Sequence, residues 1–354
     1  MSLSGRICPT REERRMKHKH LKFLNRVAPD LITQLNRRYL ILKEIKAHMP
    51  IGRRALSEKT GVTERLIRKE IDYLQSIDLV KVEQKGITIT HENSHLTEQL
   101  EAFLAPLSEN ETLGRQLRSI YNIAGFYVIS GDADANQSTK DGLAKVTAEL
   151  LSRVLTDGAI VSVTGGSTMA SLSDYLKPPV KDLLFVPARG GLGESNHFQA
   201  NSIASALGEA TGGMHRLLHA PDYLSESTLE SLMHEPDVKE IIQLNQQSDF
   251  VIHGIGEAFT MASRRHSPES EVEILKRNKA VTEAFGFYFD EHGNVVHRIK
   301  TVGIQMEDLA QKKQVFAVAG GTSKQEAIET YLKIAPKNTV LITDEAVGEY
   351  LIKK

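Results

Sequence analysis

Apolar residues mark the chain into helices first. Between Asn36 and His48, Tyr39, Leu40, Leu42 and Ile45 follow helical spacing, and Pro50 ends the pattern. Arg53–Thr60 predicts a short second helix, with Leu56 inward, small Ser57 where two helices would cross, and Gly61 for the turn. Thr63 then stands at the cap of a third helix, Glu64–Ser76, whose Leu66, Ile67, Ile71 and Leu74 form one stripe. A turn glycine with a small residue before it and Ile67 after it, between two short helices, is the helix-turn-helix pattern. Leu79–Glu83 and Ile87–Thr90, joined around Lys85-Gly86, read as a hairpin and complete a winged domain over residues 31–95.

The pattern then changes. Leu96–Tyr121 is charged, with an apolar edge of Leu100, Phe103, Leu104 and Leu107 broken at Pro106, and it predicts a linker helix within residues 96–124. Such an edge packs either against a partner subunit or against its own domain. Residues 132–138 read as a loop. Beyond Gly125, β-rich runs (Phe126–Ser130, Ala159–Val163, Leu183–Val186, Phe250–His253, Gly286–Phe289, Val315–Ala319, Val340–Thr343) alternate with helical stretches (Lys140–Leu155, Met169–Leu176, Phe198–Thr211, Lys324–Ile334). That alternation predicts a doubly wound, Rossmann-like α/β domain over residues 125–354. Ligands of such sheets bind beyond the carboxyl ends of the strands.

Composition sharpens this division. The 354 residues suffice for two or three domains, and the single Cys8 excludes an internal disulfide or a multi-Cys metal site. No run has the length and apolarity of a membrane span and the start has no signal-peptide core, so the chain reads as cytoplasmic, without membrane partners. The net charge of −1 conceals a segregation: residues 1–95 carry 20 Lys/Arg against 11 Asp/Glu, a net of +9, and residues 96–354 carry 24 against 34, a net of −10. A basic module for a polyanion is thus joined to an acidic module with another task. Residues 1–30 read as a disordered basic arm, and Met16, just before the first helical pattern, makes residues 1–15 a candidate for a misassigned start.

Candidate chemistry falls in both modules. Thr63, Glu64, Arg65, Arg68 and Lys69 lie off the apolar stripe near the start of the third helix, where a recognition helix meets the major groove of double-stranded DNA. Arg65 and Arg68 are the candidates for base edges, and Lys81 and Lys85 on the wing for phosphates. In the second module three strand ends match in chemistry: Thr164-Gly165-Gly166-Ser167-Thr168, Arg189-Gly190-Gly191, and Gly320-Gly321-Thr322-Ser323-Lys324. Glycines let the backbone approach an anion, amides and hydroxyls donate to it, and Arg or Lys neutralises it. Neither a Walker A nor a G-x-G-x-x-G pattern stands there, which disfavours a nucleotide. Arg264 and Arg265 follow the Phe250–His253 strand and could take a second phosphate, while Glu283 could accept hydrogen bonds from the hydroxyls of a polyol phosphate. Taken alone, Arg264 and Glu283 read as a surface ion pair.

Pro50-Ile51-Gly52-Arg53-Arg54, the Thr63–Lys69 helix, Thr164–Thr168, Ala188–Gly191 and Gly320–Lys324, in this order and spacing, resemble the central glycolytic genes regulators, a branch of the SorC-type bacterial transcriptional repressors. The resemblance runs from about Phe23 to the end. It implies an operator-binding homo-oligomer, dimer or tetramer, that represses a glycolytic operon and is released by fructose 1,6-bisphosphate. It also implies an effector domain similar to sugar-phosphate isomerases and glucosamine-6-phosphate deaminases, with no cofactor, metal or catalytic residue. Arg53 and Arg54 join the candidate DNA contacts. The effector contacts implied are Thr164, Gly165, Gly166, Ser167, Thr168, Arg189, Gly190, Gly191, Gln199, Arg264, Glu283, Gly321, Thr322 and Lys324. The alternative is an isomerase or deaminase with an appended DNA-binding domain, which requires a positioned acid and base. Gly254-Ile255-Gly256 keeps the deaminase-like backbone turn, but Glu257-Ala258-Phe259 follows it in place of the Asp and His of those enzymes. His215, His219 and His253 are the remaining acid–base candidates, and sensing is the expectation.

Overall fold

A computed structural model describes residues 27–90, 95–104, 109–191, 196–222 and 225–354. Most of the expected arm, and the proposed start at Met16, lie outside these residues. Pro29 and Asp30 are already helical. The chain forms two compact units, Met1–Thr112 and Leu113–Lys354.

In the first unit, α1 (Pro29–His48), α2 (Arg53–Thr60) and α3 (Glu64–Ser76) precede the hairpin β1 (Val80–Glu83) and β2 (Gly86–Ile89), followed by α4 (Leu96–Leu104). The expected bounds of α2 and α3 hold, whereas α1 begins seven residues before the expected Asn36, with Pro29 at its start. Ile41, Ile45, Leu56, Ile67 and Ile71 are fully buried and, with Leu74, Val80 and Ile87, build one small core. Leu40, expected inside, is exposed, and Ile41 takes its place. The turn between α2 and α3 closes as its residues dictate. Gly61 is left-handed and donates its N–H to the Ser57 carbonyl at 3.0 Å, and the Ser57 hydroxyl donates to the Val62 carbonyl at 2.6 Å. Thr63 occupies the N-cap position of α3, but its side chain accepts no capping bond.

The second unit begins within α5 (Glu109–Tyr121), which leads into β3 (Gly125–Ile129), α6 (Gln137–Ser152) and β4 (Ile160–Val163). Two single turns, α7 (Ser167–Ala170) and α8 (Leu172–Tyr175), precede β5 (Leu184–Pro187), α9 (Ala200–Thr211) and β6 (Met214–His215). Then follow α10 (Glu226–Leu232), α11 (Pro236–Gln247), β7 (Phe250–His253), β8 (Gly256–Glu257), α12 (Ala258–Arg264) and α13 (Glu269–Arg277). The chain closes with β9 (Ala280–Ala284), β10 (Phe287–Asp290), β11 (Val295–Arg298), β12 (Gln314–Val318), α14 (Gln325–Ile334), β13 (Thr339–Asp344) and α15 (Glu345–Ile352).

Seven strands form one parallel sheet in the order β3-β13-β12-β7-β4-β5-β6. Alternate residues of each inner strand feed opposite cores. Phe250, Ile252, Phe316 and Val318 pack with α6 and α9, and Val251, Val315, Ala317 and Leu341 pack with α5, α14 and α15. The winding reverses between β4 and β7, which places the crevice for a ligand beyond their carboxyl ends.

Two expectations change. The Gly286–Phe289 run is not a strand of the parallel sheet: as β10 it belongs to a four-stranded antiparallel sheet, β11-β10-β9-β8, over α12 and α13. Its run of buried residues looks the same in either setting, so periodicity does not separate them. The segment expected as one linker helix divides between the units: Leu100 of α4 packs on the winged core, and Leu117 of α5 is fully buried in the core of the second unit.

Candidate functional site

A cavity of about 350 Å³ opens at the switch point. Its wall includes the turn between β4 and α7, Arg189 and Gly190 after β5, the Gly254–Glu257 turn after β7, Glu283 on β9, and Gly320, Ser323 and Lys324 after β12. Thr164, Gly165, Gly166, Ser167, Thr168, Gln199 and Arg264 also line it, so most of the residues singled out in the sequence meet in one place. Gly191, Gly321 and Thr322 do not line it. The Gly191 N–H is taken by the Ala220 carbonyl at 2.9 Å.

The first turn is held open. Thr164 N–H bonds to the Ile252 carbonyl at 3.0 Å, Gly166 N–H bonds to the Phe198 carbonyl at 2.9 Å, and Gly254 N–H reaches the Thr164 hydroxyl at 3.3 Å. Among the described residues no acceptor meets the amides of Gly165, Ser167 and Thr168. All three residues line the cavity. Lys324 sits in the wall near Arg264 and Lys140. Burial, and then the Arg264 charge, push its ammonium below the usual lysine range, while Asp134 and Asp344 pull the other way. An anion between these cations would relieve their repulsion.

Arg189 departs from expectation. Rather than standing ready for a phosphate, it donates to Glu283 Oε1 at 2.8 Å and Asp222 Oδ2 at 2.9 Å. Arg265 donates to the same two oxygens at 2.9 and 2.8 Å and to the Tyr288 hydroxyl at 3.0 Å. Glu283 is therefore no surface partner of Arg264 but part of a buried quartet with no net charge. Burial raises its carboxyl, and Arg265 and Arg189 outweigh that and hold it at about 2. Asp222 escaped the sequence reading because no local pattern ties it to Arg189, 33 residues away. The pairing of Arg265 with Glu283 was hidden for the same reason.

The histidines supply no free acid or base at the cavity. His253 is fully buried between the Tyr331 hydroxyl, 2.8 Å from Nε2, and the Gly254 carbonyl, 2.9 Å from Nδ1. Burial lowers it to about 4, which leaves a neutral ring that donates to the carbonyl and accepts from the tyrosine. His219 is exposed, and neither it nor His215 lines the cavity. Glu257 caps α12, accepting from Phe259 N–H at 2.9 Å and Thr260 N–H at 2.7 Å. Among the described residues no cluster of His, Cys, Asp and Glu suits a metal ion.

On the first unit, Thr63 at the cap of α3 and Glu64, Arg65, Arg68 and Lys69 of α3 are all exposed, as are Lys81 and Lys85 on the wing. Arg53 and Arg54 are engaged within the domain, with Asp72 at 3.7 Å and Glu58 at 3.3 Å. A pairing hidden from the sequence holds α3 in place: buried Glu70 accepts from Arg37 at 3.0 Å and Arg38 at 2.8 Å, and Arg38 stacks on Tyr73.

The family described as the CggR N-terminal DNA binding domain matches residues 34–104, and a family described as a sugar-binding domain matches residues 105–353. The chain is 39% identical to the central glycolytic genes regulator of Priestia megaterium, covering 93% of this chain and 96% of that one. The namesake from Bacillus subtilis is also 39% identical, over 93% and 97%. This chain belongs to the central glycolytic genes regulator family. Its second unit has the fold of a SorC family transcriptional regulator from Enterococcus faecalis, 38% identical with a TM-score of 0.64 over 68% of this chain and 99% of that one. The full-length sorbitol operon regulator SorC from Klebsiella pneumoniae, 18% identical, shares the fold over 92% of this chain with a TM-score of 0.64. In this family the helix-turn-helix is the DNA-binding domain and the strand-end cavity lies in the sugar-binding domain. Among the described residues no helix is long and apolar enough to cross a membrane.

Proposed function

We propose that the chain is a cytoplasmic repressor of glycolytic genes that binds paired operator half-sites as a homo-oligomer and is released by a phosphorylated sugar, fructose 1,6-bisphosphate first among candidates. The observation that carries this reading is the division of labour around the cavity. Open amides at 165, 167 and 168, with Lys324, Arg264 and Lys140, suit phosphate. The self-neutralised Arg189–Asp222–Arg265–Glu283 floor suits the uncharged, hydroxyl-bearing body of a sugar. The relatives' name supplies the glycolytic target.

The cavity senses its ligand rather than turning it over. A neutral His253 locked by two hydrogen bonds and a Glu257 spent on a helix cap are not available as the acid and base that turnover needs. Effector binding releases DNA only if the ligand binds the DNA-free arrangement better than the bound one.

The test uses a duplex that the purified protein selects from a random pool. Operator binding should weaken about tenfold or more in saturating fructose 1,6-bisphosphate, and should fall steeply with salt. Arg65→Ala and Arg68→Ala should relax sequence preference, each by about 1–3 kcal/mol. An operator affinity indifferent to every sugar phosphate would refute the sensor reading, and detectable turnover of glucosamine 6-phosphate would refute the non-enzymatic one.

A further inference from the structure

The turn after β12 carries the same residue types as the turn after β4, yet its donors are spent. Gly321 N–H donates to Asp344 Oδ2 at 2.6 Å, Thr322 N–H and hydroxyl donate to Asp132 at 3.3 and 2.7 Å, and Ser323 N–H donates to Asp134 Oδ2 at 2.7 Å. Three aspartates thus hold the amides that an anion would otherwise take.

The three differ in how firmly they are held. Asp344 is fully buried, also accepts from Ala133 N–H at 2.8 Å and Val347 N–H at 3.1 Å, and closes the core. Asp132 is half-buried and accepts additionally from Asp134 N–H at 2.8 Å. Asp134 is exposed, lines the cavity beside Ser323 and Lys324, and among the described residues its side chain accepts from the Ser323 amide alone, with the Lys324 charge nearby. An exposed carboxylate swings into water at little cost, whereas a phosphate offers more acceptor oxygens and more charge to the same amide and to the cations nearby.

We propose that Asp134 is an internal competitor for the Ser323 amide, and that an entering phosphoryl group displaces it. This rests on the reading of the cavity as a site for a phosphorylated ligand and adds to it a built-in threshold. Weak anions do not dislodge Asp134, and only ligands whose phosphate is anchored by the rest of the cavity do. The exchange is non-covalent: one acceptor replaces another on Ser323 N–H, and Asp134 goes to solvent.

The test titrates the full-length parent, Asp134→Ala and Asp134→Gly, which remove the competing acceptor, with inorganic phosphate, followed by phosphorus NMR, and with fructose 1,6-bisphosphate, followed by calorimetry. Each titration is run at about 0.1 M and about 0.5 M salt, where the Debye length falls from about 10 Å to about 4 Å. Both variants should bind both ligands about tenfold tighter, and the gain should persist at the higher salt because it comes from a freed donor. No gain, or one that vanishes with salt, overturns the proposal. If the sugar bisphosphate binds parent and variants equally, the Asp134 inference falls and the effector reading stands. If inorganic phosphate shows the gain while no sugar phosphate binds, the reverse holds.

Discussion

Two strand-end turns of nearly the same composition meet opposite fates around one cavity. Gly165, Ser167 and Thr168 line it with amides that no described residue accepts, and Gly321, Thr322 and Ser323 have theirs filled by Asp344, Asp132 and Asp134. The cations divide the same way. Lys324 and Lys140 make no ion pair among the described residues, while Arg189 and Arg265 are consumed by Asp222 and Glu283. Residue type at a strand end therefore announces a polar site, and the partners brought by distant chain decide whether that site is open to a ligand or already satisfied. Removing a satisfied group should cost stability, and removing an open one should cost ligand affinity.

The largest effect should come from the closed side. Glu283→Ala leaves Arg189 and Arg265 buried with one carboxylate between them and should destabilise the fold by about 3–5 kcal/mol, read as a lowered urea midpoint. A stable variant that merely lost ligand binding would break the distinction. Next, acid should act through His253. Its folded-state value is depressed from 6.5 to about 4, so the unfolded chain binds a proton that the folded chain refuses. Stability should then be intact above about pH 6.5 and decline by about 3 kcal/mol as pH falls towards 4. His253→Gln should flatten that stretch of the profile.

On the open side, a Cβ at Gly165 would stand 2.5 Å from the Phe198 carbonyl. Gly165→Ala should therefore displace the turn and weaken fructose 1,6-bisphosphate by about a hundredfold while operator binding survives. Lys324→Ala should weaken it by about tenfold or more. In the parent the affinity should fall as pH rises through the lowered titration of Lys324, since the anion favours the protonated amine. Smallest of all, Thr322→Ala removes the 2.7 Å bond to Asp132 and should cost about 1 kcal/mol of stability with effector affinity within about twofold. A large loss of affinity there would show the closed turn to be a ligand contact after all.

The same contrast explains what the sequence made legible. The helix bounds Arg53–Thr60 and Glu64–Ser76 are written locally, in Pro50, Gly61 and a stripe of Ile and Leu, and the gathering of Thr164–Thr168, Gly190 and Lys324 follows from their place after strands. The roles of Arg189 and Thr322 were not legible, because their partners lie 33 and 190 residues away in loops without periodic pattern. Glu283 sits on β9, a strand absent from the expected runs, since the register of the antiparallel sheet depends on which hairpin forms, not on the residues of one strand.

The central claim is that the cavity and the DNA-binding face are coupled by one ligand. Its most direct test is a closed cycle: the affinity for fructose 1,6-bisphosphate measured on free protein and on protein saturated with operator, alongside the operator affinity with and without the sugar. The two ratios, the second taken at saturating sugar, must be equal by linkage, on the order of tenfold or more, and the change in operator affinity should shrink in Lys324→Ala at the sugar concentration that just saturates the parent. A sugar that binds free and operator-bound protein equally tightly would contradict the account, however well it fills the cavity.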